Sequence, residues 1–242
     1  MIEKANELDK KNGVARPVRE VASTLFFLAF AVSCFACATG PVGSYNVPDT
    51  LGKGNVKVGV GAGGGVMFNV NGGAEGQVFV DIGVGPKTEF RVRATGEYWS
   101  ASQSVTSIKG GFAAGPGLQF KYANEAGKEA NATLLVACDT MVGLGGEGVS
   151  VVPAIGAILG FGDADDWRFI LTPVASIPII WTTLQNIKGG STQAFLDLRL
   201  SAGFDIPVNK KVSLRPELAV AAGTTMTEFL SLMLGAGIAV VF

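Results

Sequence analysis

Over residues 229–242 the chain places apolar residues at every second position: Leu230, Leu232, Leu234, Ala236, Ile238, Val240 and Phe242 share one parity. The other parity holds Ser231, Met233, Gly235, Gly237 and Ala239, a mostly small row. Successive side chains of a strand point to opposite faces, so this spacing predicts a long strand with one unbroken apolar side. In a soluble domain more chain would have to cover that side. A bilayer covers it directly, and the expectation is that lipid does so here.

Composition narrows the choice. Charged residues make up only 16% of the 242, Gly contributes 34 of them, and mean hydropathy is +0.38. No stretch after residue 40 offers the roughly 18 continuous apolar residues of a spanning helix. High apolar content without such a run is what alternating lipid-facing strands produce. The formal net charge of -1 gives no basic patch, so nucleic acid is not expected as a partner.

The ending, with Ile238, Val240 and a final Phe242 at alternate positions, resembles the closing strand of small Gram-negative outer-membrane β-barrels. The resemblance implies that these three residues are a sorting and assembly signal. It further implies location in the bacterial outer membrane, with membrane lipid and the barrel-assembly machinery as partners, and a monomer. It covers roughly residues 53–242 through architecture and terminal signature, without a family-specific functional motif.

Residues 21–40, VASTLFFLAFAVSCFACATG, carry no charge and have the length of a signal-peptide core. Residues 1–38 are read as that leader, with initiation at Val14 as an alternative start. Cleavage has two readings. Ala36-Cys37-Ala38 satisfies the small-x-small rule, whereas Cys37 acylated as a first residue would make a lipoprotein. An exported chain keeping only Cys138 has no disulfide to form, which favours a role for Cys37. Residues 39–52 are read as a periplasmic tether and 53–242 as the barrel.

Strands are expected near 54–68, 76–84, 88–98, 112–122, 129–143, 149–161, 167–177, 194–204, 211–222 and 229–242, and most reach the roughly 9–11 residues a tilted membrane strand needs. The fold class is therefore all-β, a transmembrane up-and-down antiparallel barrel of about ten strands. GVGPKT, ANEAGK, FGDADD and DIPVNK are compact turns, placed in the periplasm. NVNGGAE, LGGEG, GTTMTE and the stretches 100–111 and 179–193 are placed outside. Pro116, Pro153, Pro173, Pro178 and Pro216 each remove a ladder donor, so bulges or strand ends are expected there. Pro173 and Pro178 leave eight strands as the alternative count.

Charge parity is the sharpest signal. Phe90, Val92 and Ala94 oppose Glu89, Arg91 and Arg93. Leu196, Leu198 and Leu200 oppose Asp197 and Arg199, and Leu214 and Leu218 oppose Arg215 and Glu217. Lys57, Asp81, Lys121, Asp139 and Arg168 likewise fall opposite their strands' apolar rows. These twelve residues are expected to face the lumen as a network of paired charges, because an outward Lys or Arg at the bilayer midplane costs about 2–4 kcal/mol. Gly59, Gly61, Gly63 and Gly65 would face inward beside Gly235 and Gly237, leaving a groove down one wall that suits a narrow solute conduit.

The functional expectation is a structural barrel or a narrow, porin-like channel. A soluble exported barrel binding an apolar ligand and a surface adhesin are the alternatives. The chain has no His, so the proton shuttles of barrel hydrolases and acyltransferases lack their usual base, and no enzyme activity is expected. Asp163, Asp165 and Asp166 lack the other ligands of a calcium loop, and GVGAGGG is followed by no helix pattern, so neither metal nor cofactor is expected.

Overall fold

The computed structural model describes residues 45–67, 70–99, 111–143, 148–182, 191–194, 196–223 and 229–242. Twelve strands follow in order: β1 (Val56–Met67), β2 (Val70–Gly83), β3 (Thr88–Trp99), β4 (Gly111–Ala123), β5 (Ala132–Gly143), β6 (Val149–Gly162), β7 (Arg168–Ser176), β8 (Ile179–Thr182), β9 (Ser191–Ala194), β10 (Asp197–Pro207), β11 (Val212–Gly223) and β12 (Phe229–Val241). Pairing is antiparallel between neighbours throughout, and β5 against β6 closes the ring.

The two short strands are continuations rather than extra staves. Ile155 of β6 pairs with Ala175 of β7, and Val151 of β6 pairs with Ile179 of β8 in the same unbroken register. Ser176 of β7 faces Asp197 of β10, and Ile179 of β8 faces Ala194 of β9, again in one register. Strands β7 and β8 therefore form one stave interrupted at Ile177 and Pro178, while β9 and β10 form its partner. The wall is a closed up-and-down barrel of ten staves. Pro178 opens a gap because it has no N–H to give the ladder, but β6 holds the chain in line on both sides of it. Pro116, Pro153, Pro173 and Pro216 sit within strands.

Two connectors expected from sequence carry strand: the stretch 179–193 holds β8 and most of β9, and NVNGGAE runs into β2 from its second residue. β1 and β2 form a hairpin separated by residues 68 and 69 alone, with Gly63 opposite Glu75 and Met67 opposite Val70. The text NVNGGAE reads as a loop because Asn and Gly are turn residues. In the barrel its backbone groups find partners on the neighbouring strand, which outweighs that local preference.

The two faces of the wall differ in chemistry. Val60, Val78 and Ile155 are each more than half exposed on the outside, at 51, 54 and 56%, while Asp81, Glu89, Arg91 and Lys121 on the inside are all at 0%. A water-soluble domain buries the first kind and exposes the second. Around the mouth that carries the tight turns, Phe169 and Phe204 meet at 5.6 Å between ring centroids, Trp167 stands 5.6 Å from Phe204, and Phe161 lies 6.1 Å from Phe169. An outside aromatic cluster of this kind suits the level of lipid headgroups.

Candidate functional site

The inside of the barrel holds the chain's buried ionisable groups, and alternation puts them there. In β2, β3 and β4 the residues Asp81, Arg91 and Gln119 lie side by side across three neighbouring strands, with Lys57 of β1 opposite Asp81. The Arg91 guanidinium donates to both Asp81 oxygens, at 2.5 and 2.9 Å, and the Lys57 ammonium reaches the same carboxylate at 2.8 Å. Lys121 pairs with Glu89 at 2.5 Å, and Lys57 stands 3.9 Å from that carboxylate too. The face of Phe79 lies 3.9 Å beneath the Arg91 guanidinium, a favourable cation–π placement.

Farther along the wall the charges pair locally. Arg93 forms a two-pronged bridge to Asp139 across β3 and β5, Arg199 lies 3.3 Å from Asp197, and Arg215 donates to Asp205 at 2.8 Å. Glu217 is buried at 8% exposure on the strand of Arg215, and Arg168 pairs with Asp49 at 2.7 Å. Each of the twelve residues singled out by parity lies on the inside of the wall. Sequence reasoning passed over Asp205 and Glu75, which continue the inward rows of β10 and β2. Longer strand boundaries would have found both. Ile238 and Phe242 stand on the outer face at 40 and 71% exposure, and Val240 is half-buried between them on the same parity. Cys37 lies outside the described residues.

The larger omission is an occupant. Residues 45–51, expected within a tether outside the barrel, run through its interior: Tyr45 is 1% exposed, Asn46 and Val47 are both 3%, and Thr50 is 5%. Partway along the wall the Tyr45 hydroxyl donates to the Ala62 carbonyl at 2.9 Å. The strap ends at the tight-turn mouth, where the Thr50 hydroxyl donates to the Pro86 carbonyl at 2.8 Å and its N–H to the Gly127 carbonyl at 3.3 Å. Gly52 and Gly54, at φ of +72° and +86°, then turn the chain into β1.

Wall side chains serve the strap's backbone. Glu217 accepts from the Tyr45 N–H at 3.1 Å and Arg215 donates to the Tyr45 carbonyl at 2.9 Å. Lys121 donates to the carbonyls of Val47 and Asp49, both at 3.3 Å, and the Thr133 hydroxyl to that of Pro48 at 2.6 Å. Asn46 and Gln119 bond reciprocally at 2.8 and 3.4 Å. Both apolar clusters of the interior incorporate a strap residue: Tyr45 packs with Phe79, Ala219, Met233 and Ala239, and Val47 with Leu135, Ile158 and Ile170.

The glycine seam is thereby filled. A Cβ on Gly61 would overlap the Tyr45 ring, one on Gly237 would stand 2.7 Å from it, and one on Gly59 would strike Phe79. The groove expected along β1 and β12 is the seat of two aromatic rings. Beside Tyr45 and Asn46 lies a cavity of about 10 Å³, room for one water at most.

What these features define is a closed antiparallel barrel with a greasy exterior, a charge-paired interior and a segment of its own chain packed inside. No protein-family model matches the sequence, and no curated protein matches it. Among solved structures, the chain is similar to Neisserial surface protein A at 15% identity and a TM-score of 0.41, over 78% of this chain and 99% of that one. It is similar to the N-terminal barrel domain of Pseudomonas aeruginosa OprF at 12% and 0.37, over 79 and 99%. The translocator domain of the autotransporter NalP from Neisseria meningitidis matches at 10% and 0.40, over 90 and 95%.

Proposed function

We propose that this protein is an integral barrel of the bacterial outer membrane whose resting lumen is sealed, so that its role is membrane-structural rather than that of an open pore. The observation that carries the reading is the inverted wall. Valine, leucine and isoleucine rows stand exposed on the outside while Asp81, Arg91, Glu89 and Lys121 are wholly buried inside. Such a surface is stable against hydrocarbon and unstable against water. The tight-turn mouth faces the periplasm, the barrel-assembly machinery inserts the chain through its closing strand, and the barrel acts as a monomer.

The narrow-channel reading has the Gly seam in its favour, but Tyr45 and Phe79 occupy that seam. The soluble reading needs an apolar chamber, and the interior is lined with charge. Fractionation tests the membrane assignment: the protein should sediment with outer membranes and leave them only with detergent, and recovery in plain buffer would overturn it. Planar-bilayer recording tests the seal. Silence is expected from the intact chain, and a steady open conductance would restore the channel.

A further inference from the structure

The strap is held differently from an ordinary core-filling segment. A barrel of this size can fill its lumen with side chains from its own wall. Here the wall is stripped to glycine where the strap's rings sit: Gly61 and Gly237 receive Tyr45, and a Cβ on Gly160 would come within 2.7 Å of the Pro48 ring. Around those hollows stand side chains aimed at main-chain groups. Glu217 and Arg215 bracket the Tyr45 peptide units, while Lys121 and Thr133 take successive carbonyls. Hydrogen bonds to the backbone of an extended segment, with pockets for alternate side chains, are how proteins bind peptides.

Two features tie the wall to this one segment. Tyr45 adopts φ +43°, a left-handed conformation unfavourable for a bulky residue, and it persists where bonds on both sides over-determine it. Asp49 meets Arg168 at 2.7 Å, and Asn46 meets Gln119 through both of its amide atoms, so side-chain identity is read as well as backbone.

We propose that the lumen is a peptide-binding site, that residues 45–51 are its resident ligand bound in cis, and that a detached peptide of the same chemistry exchanges into it. The peptide class is an aromatic residue followed by Asn-x-Pro-Asp, with the aromatic ring on the Gly61–Gly237 cradle and the carboxylate on Arg168. While the strap is covalently attached, its high effective concentration keeps competitors out. The proposal concerns the interior alone and holds whichever medium surrounds the barrel.

The test uses the chain from residue 39 onward, the exported form read from the sequence and free of the apolar stretch that would itself hold a fragment to a micelle, with a protease site inserted at exposed Lys53, folded in micelles and then cut. The amino-terminal fragment should stay with the barrel through gel filtration. A synthetic peptide of residues 45–51 should release it at a concentration about tenfold or more below that needed by a scrambled heptapeptide. The same chain carrying Tyr45→Ala should lose its fragment on cutting alone. Heat-modifiable gel migration reports in every case that the barrel is still folded. Prompt loss of the unsubstituted fragment from a folded barrel would overturn the proposal, as would equal release by the two peptides or no release by either.

Discussion

At the scale of the residue, burial away from bulk solvent makes a luminal charge depend on its partner. Asp81 compensates two cations, Lys57 and Arg91, and all three are cut off from solvent. Asp81→Asn keeps the volume but leaves both cations short of an anion. The expected cost is about 3–5 kcal/mol, the loss typical of breaking a buried ion pair, measured by denaturant titration of the barrel refolded in lipid vesicles. On the other face the penalty has a different origin. Val78 points outward between Val60 and Ala94 on the flanking strands, so Val78→Arg should lose about 2–4 kcal/mol in the same assay through exposing a cation to hydrocarbon.

At the scale of the element, pairing decides what is firm. Among the described residues β9 pairs with β8 alone, whereas β10 is flanked by β7 and β11. Four-residue strands at the end of an interrupted stave have little to hold them, so amides of β8 and β9 should exchange with deuterium well before those of β7 and β10 in micelles. The tight turns offer a pH-dependent contact. The Lys128 ammonium donates to the Asp165 carboxylate between two turns, and that hydrogen bond, then its charge, holds the Asp165 carboxyl below the usual carboxylate range. A lowered pKa in the folded state means the contact is present above the ordinary value of about 4 and lost as pH falls through the lower one. The Asp165 carbon resonance should titrate below that value and move toward it in Lys128→Ala. Both groups are well exposed, so added salt should weaken the contact.

At the scale of the whole molecule, ring closure leaves every strand but β9 paired on both sides among the described residues. Such a barrel should resist dodecyl sulfate in the cold and run faster on a gel than its boiled form, the two bands converging after heating. The strap adds a second level of order: by joining both internal apolar clusters it ties β2, β11 and β12 to β5, β6 and β7 across the lumen.

Much of this architecture was legible in the sequence because period two is a local property. The parity of Arg91 against Val92, or of Arg199 against Leu200, needs only the neighbours in the chain, and a closed antiparallel barrel follows once one row is too apolar for water. The ends of strands were less legible. NVNGGAE reads as turn, and the strand text around Pro178 reads as ending, because local preference is silent about a partner strand that keeps the ladder in register. Asp205 was missed for the same reason.

The interior occupant lay beyond any local pattern. Residues 45–51 show no periodicity, and Gly61, Gly237 and Gly160 lie far apart in sequence; they become one surface only when β1, β12 and β6 are rolled into a cylinder. What the sequence by itself determined is which side of each strand faces out, since alternation and the cost of exposed charge act residue by residue. Only the tertiary structure decided what fills the centre, because a hollow is a property of closure, and which segment fits it depends on distances that no stretch of chain records alone.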